Sequence, residues 1–106
     1  MDAAVDPQAR VADFVAIHDL ETPAAYRLLD AVAEVGEVAA EVCASTDYGT
    51  EPDAVSVPED ELGDAVFAIL ALCEELDVDA ADALETSLAK YEARIEETGD
   101  ADSGVS

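Results

Sequence analysis

A chain of 106 residues is long enough for one hydrophobic core and too short for two. Its 27 acidic side chains against four basic ones, a formal charge of −23, exclude a surface for nucleic-acid polymers or anionic membranes, because no cluster of cations exists to displace counterions from phosphates. Apolar residues reach 51%, which excludes the acidic disordered class, but most are Ala and Val and aromatics are only 5%, so each helix has modest side chains to bury.

A first helix is predicted over 7–18, with Val11, Phe14, Val15 and Ile17 as a short apolar face. The only histidine, His18, falls at its end and is read as a helix-terminal residue near the macrodipole. The second helix is predicted over 22–44, with Thr22 as N-cap and Pro23 at the first helical position. Leu28, Val32, Val35, Ala39 and Val42 recur at steps of four and three, the pattern of a stripe that packs on neighbours.

Residues 45–53 are turn-forming and lack periodicity, so they are read as a loop. Ser56 and Glu59 have capping-box spacing and open a third helix expected to reach Leu76. Its run 65–73 is apolar on every side, which calls for more cover than three companion helices supply and predicts a dimer. Asp79 caps a fourth helix with Leu84, Leu88, Tyr91 and Ile95 as its buried stripe and Gly99 as its stop. The expectation is therefore an all-α, four-helix bundle completed by dimerisation: an N-terminal helix and connection over 1–21, a helical domain over 22–99 and a flexible tail over 100–106.

Cys43 and Cys73 are isolated, without CxxC spacing, and are read as buried reduced thiols. The apolar run 65–73 is far too short to span a bilayer and Met1 begins no signal sequence, so a cytoplasmic location is expected. At about 1 M salt the Debye length is ~3 Å, which would screen the repulsion among these carboxylates. A halophilic protein is expected, with a fold that needs salt.

Two acidic steps stand out, Glu34-Val35-Gly36-Glu37 and Glu61-Leu62-Gly63-Asp64. Acids three residues apart recur elsewhere in this chain as often as their abundance predicts, so spacing alone carries nothing. These two steps differ because each has the form acid, apolar, Gly, acid within an otherwise apolar helix. A mid-helix Gly costs about 1 kcal/mol relative to Ala, and close approach of two helices at Gly36 and Gly63 would account for it. Four carboxylates facing one another between helices need protons or a metal. Hard oxygen donors select Mg²⁺ or Mn²⁺, and Mg²⁺ brings phosphate chemistry with it. A di-iron bundle would need Glu-x-x-His steps, which the sequence does not contain. Among the few cations, Lys90 and Arg94 share one face of the last helix beside Tyr91 and suit phosphate oxygens, whereas Arg27 and Arg10 are read as surface partners of nearby acids.

Glu34-Val35-Gly36-Glu37-Val38-Ala39, Glu61-Leu62-Gly63-Asp64-Ala65-Val66-Phe67 and Lys90-Tyr91-Glu92-Ala93-Arg94 together resemble the MazG-like, all-α nucleoside triphosphate pyrophosphohydrolases, over roughly residues 22–99. The resemblance implies Mg²⁺ held by Glu34, Glu37, Glu61 and Asp64, a bound nucleoside triphosphate, and hydrolysis between its α and β phosphates. It also implies Glu37 and Glu61 as the catalytic carboxylates and Lys90 and Arg94 as substrate-binding residues, in a homodimer or tetramer. Many members place a further Glu where this chain has Ala33. The competing reading is a noncatalytic helical dimer that binds metal or a partner.

Overall fold

The computed structural model describes residues 6–99, and the expected tail over 100–106 lies outside them. Four α-helices, and no strand, occur among the described residues: α1 (Pro7–Ile17), α2 (Ala24–Ser45), α3 (Glu59–Glu75) and α4 (Ala80–Thr98). The predicted loop contains one unpredicted 3-10 turn, Pro52–Ala54.

Local chemistry explains where the helices begin and end. The Asp6 carboxylate accepts from the backbone amides of Gln8 at 3.0 Å and Ala9 at 3.4 Å, and Pro7 follows at the first helical position. Asp79 caps α4 through the Asp82 amide at 3.1 Å, and Gly99 stops it at φ 80°, both as expected. The second and third starts differ from expectation. Pro23 (φ −57°, ψ 149°) and Pro58 (φ −58°, ψ 142°) are extended and themselves occupy the cap positions, so neither Thr22 nor Ser56 caps a helix with its side chain. The Pro23 carbonyl accepts from Tyr26 and Arg27, the Pro58 carbonyl from Glu61 and Leu62, and the Ser56 amide donates to Ser45 Oγ across the connection.

The other three helices are also followed by a residue with left-handed backbone, and in each it is Asp: Asp19 (φ 57°), Asp47 (φ 52°) and Asp77 (φ 59°). After α1 the amides of Asp19 and Leu20 return to the carbonyls of Ala16 and Val15; after α3 those of Asp77 and Val78 return to Glu74 and Cys73. Gly is the usual occupant of this position, but Asp tolerates the conformation.

Helix α3 is the hub: α2 packs along one side of it and α1 on another. The α1 contact is built from Val11, Val15 and Ala71, with Phe67 and Leu70 against them. Ala31 on α2 and Ala68 on α3 are buried at the joint between those helices. Small residues at that joint let the two backbones approach, and the consequence for α2 is a rotation away from expectation. Its inward face is Arg27, Ala31, Glu34 and Val38, whereas Leu28, Val32 and Val35 are half to two-thirds exposed. Cys43, on the side of α2 turned from α3, is exposed rather than buried; Cys73 is half-buried, and both are free thiols.

Helix α4 packs along none of the others, so a single chain is a three-helix packing with a fourth helix projecting from it. The radius of gyration is 16.7 Å, against about 13 Å for a compact domain of this length. Its expected buried stripe, Leu84, Leu88, Tyr91 and Ile95, is exposed along with Leu62, Val66 and Ile69 of α3. No large side chain is fully buried among the described residues. The α4 start is nevertheless pinned: Gln8 Oε1 accepts from the Ala80 amide at 2.6 Å, while its Nε2 donates to the Val78 carbonyl and to Glu74 Oε2. No helix among the described residues is long and apolar enough to cross a membrane.

Candidate functional site

The inward rotation of α2 puts Glu34 on the same face as Ala31 and Arg27, turned toward α3. From the opposite helix, Asp64, Phe67 and Ala68 complete a cleft of about 360 Å³ whose other walls are Arg27, Asp30 and Glu34. The first carboxylate of one acidic step thus shares a cleft with the last carboxylate of the other, the pairing expected of two helices running antiparallel.

Glu34 and Glu61 are half-buried; Glu37 and Asp64 are exposed. Partial burial, then the charges of Glu37, Asp64 and Asp30, raises the Glu34 carboxyl above the ordinary carboxylate range. Glu61 is raised in the same direction, first by partial burial, then by Glu37, Asp60, Asp64 and Glu41. All four acids singled out from the sequence therefore share one electrostatic field, with Glu34 and Glu61 on either side of it. Among the described residues, however, no three His, Cys, Asp or Glu side chains are gathered closely enough to enclose a metal ion.

Comparison with family models, curated proteins and solved structures gives no match.

The donor chemistry of the cleft fits a hard divalent cation of one kind. Mg²⁺ characteristically takes one or two carboxylates and fills its other positions with water and substrate phosphates. Glu34 and Asp64 on facing walls of an open cleft suit that mode, whereas an all-protein cage such as Ca²⁺ uses would need donors that are not assembled among the described residues.

The structure does not bring Lys90 and Arg94 to the cleft. Both flank the Tyr91 ring on the projecting helix, with Lys90 Nζ 5.2 Å and Arg94 Cζ 5.8 Å from its centre. The cation that does line the cleft is Arg27, only 6% exposed, and it is not the surface partner of an acid that the sequence suggested. Its Nη2 donates to the Leu20 carbonyl at 2.6 Å, and its Nε is buried without a hydrogen-bond partner among the described residues. Periodicity held the signal for this: Arg27, Ala31 and Glu34 follow the same four-and-three steps as the apolar stripe beside them. Gly36 and Gly63 meet no atom within 4 Å of where a Cβ would stand, so close approach within one chain does not explain them. His18, at the α1 terminus as expected, rests on the Phe14 ring at 4.4 Å.

Proposed function

We propose that this protein is a Mg²⁺-dependent nucleoside triphosphate pyrophosphohydrolase of the MazG-like kind, with Mn²⁺ as an alternative metal. The observation that carries the reading is the cleft in which Glu34 of α2 faces Asp64 of α3, with Glu37 and Glu61 in the same charge field. Glu34, Glu37, Glu61 and Asp64 would hold the metal. When bound, Mg²⁺ supplies charge neutralisation to the triphosphate and Lewis-acid polarisation of its phosphoryl oxygens.

The chain's own carboxylates would handle the proton. One of the two catalytic carboxylates, Glu37 or Glu61, would accept it from the attacking water. The water oxygen bonds to one phosphorus of the α–β anhydride, the bridging P–O bond breaks, and nucleoside monophosphate and pyrophosphate separate.

A homodimer or tetramer is part of the proposal. The exposed stripes of α2, α3 and α4 would be covered by a second copy, whose α4 is also the route by which Lys90 and Arg94 could reach a cleft. The −23 charge supports a halophilic, salt-dependent fold, and a cytoplasmic location is part of the same proposal.

Incubation with a panel of nucleoside triphosphates and Mg²⁺ in molar KCl tests the activity. Monophosphate plus pyrophosphate is the expected product pair; diphosphate plus phosphate, or no turnover across the panel, would overturn it. A second reading, a noncatalytic helical dimer that binds metal or a partner, is favoured by Ala33. It predicts Mg²⁺ binding without turnover.

A further inference from the structure

A guanidinium stays protonated in any protein interior, so burying one demands partners for its charge and its N–H groups. Arg27 meets that demand in part. Its Nη2 has the Leu20 carbonyl, a neutral acceptor, while the buried Nε–H has none among the described residues. Asp30, Glu34 and Asp64 all border the same cleft, yet none of them takes that hydrogen bond. In a chain with four basic residues and 27 acidic ones, a cation left only 6% exposed and without a carboxylate on its Nε is a costly placement.

The cleft thus combines a cation whose Nε lacks an acceptor among the described residues with three carboxylates, Asp30, Glu34 and Asp64. A free anion would satisfy Arg27 but be repelled by the acids, and a free cation would do the reverse. A ligand that satisfies both carries a phosphate oxygen and a divalent cation together. Phe67 and Ala68 supply the apolar part of the cleft wall.

We propose that Arg27 is the phosphate-holding residue of this cleft, donating from its guanidinium to a phosphate oxygen of a polyphosphate that arrives chelated to the divalent cation held by Glu34 and Asp64. The inference rests on the metal-site reading above and adds the residue that binds the anion within one chain, independently of Lys90 and Arg94 on α4. The Leu20 contact then has a purpose: it holds the α1–α2 connection against the guanidinium and fixes its plane.

The arginine Nε–H resonances of the full-length protein provide the test, because Arg10, Arg27 and Arg94 are the only three and Arg27→Lys removes the signal to be followed. The wild-type protein in molar KCl is titrated first with Mg²⁺ alone, then with pyrophosphate at saturating Mg²⁺. The expected result is a large downfield shift of the Arg27 signal in the second step only, with binding of magnesium pyrophosphate about tenfold weaker in Arg27→Met and Mg²⁺ binding unchanged. A stationary Arg27 signal while the amides of Glu34 and Asp64 move would overturn this inference and leave the metal site standing. Movement of neither, with no Mg²⁺ binding by calorimetry, would overturn both. If Arg27→Met fails to fold, the wild-type titration still separates these outcomes.

Discussion

Gln8 near the start of the chain and Ala80 at the start of α4 are joined by a 2.6 Å hydrogen bond across 72 residues of sequence. The same side chain reaches Glu74 and the Val78 carbonyl, so one glutamine fixes the angle at which α4 leaves α3, where no packed face does so. Gln8→Ala is expected to lower stability by about 1–2 kcal/mol, since it strands a helix N-terminal amide and a carbonyl. Amide exchange over the first turn of α4 should quicken while that of α2 stays unchanged. Equal protection of α4 in both proteins would show that something else orients it.

Asp77 holds a left-handed conformation at φ 59° just past the C-terminus of α3, the end at which the helix dipole is negative. Asp77→Gly removes both penalties and should raise the melting temperature, by about 1 kcal/mol of stability. For a domain of this size that corresponds to roughly 4–8 °C in a thermal melt. A lower melting temperature would mean that the carboxylate makes a contact worth more than the strain it brings.

Gly63 has open space where a Cβ would stand, inside a helix that Ala would favour by about 1 kcal/mol. Gly63→Ala is therefore expected to stabilise the isolated chain, and Gly36→Ala to do the same on α2. Melting curves should be compared at low and high protein concentration. A loss of stability that grows with concentration would place a second copy against these glycines.

The raised carboxyls of Glu34 and Glu61 have a direct consequence for stability against pH. A carboxyl raised in the folded state binds more protons folded than unfolded, so its effect is least unfavourable in acid and worsens as pH climbs from the ordinary carboxylate value through the raised one. In metal-free protein at pH 7, Glu34→Gln and Glu61→Gln should each raise the melting temperature. The gain should vanish once the pH falls below the ordinary carboxylate range. A gain that persists there would mean that packing, and not charge, set the difference.

Asp64→Asn keeps the shape of a cleft-lining side chain and removes its charge. Pyrophosphate release should fall on the order of a hundredfold or more, corresponding to a few kcal/mol of transition-state stabilisation. Circular dichroism should be unchanged, since Asp64 is exposed. Wild-type turnover with the same Mg²⁺ dependence would remove Asp64 from the site.

The sequence by itself determined the four helices and most of their limits, because those depend on contacts within a few residues: Asp6 and Asp79 beside the first free amides, Gly99 at φ 80°, apolar steps of three and four. It also held both acidic steps, whose spacing alone sets which carboxylates share a helix face. It misjudged two starts because a proline fixes φ but leaves ψ free, so Pro23 and Pro58 could be first helical residues or extended caps. Which face of α2 turns inward was decided only in three dimensions. Hydropathy favours Leu28, Val32 and Val35, but the joint with α3 is made by Ala31 and Ala68, whose small side chains admit a neighbouring helix and draw Arg27 and Glu34 in beside them. The same choice left the larger apolar stripes outside, kept α4 and its Lys90–Arg94 pair away from the carboxylates, and made a buried cleft residue of Arg27, because helix packing selects for shape at the contact while a periodic sequence reports only which residues share a face.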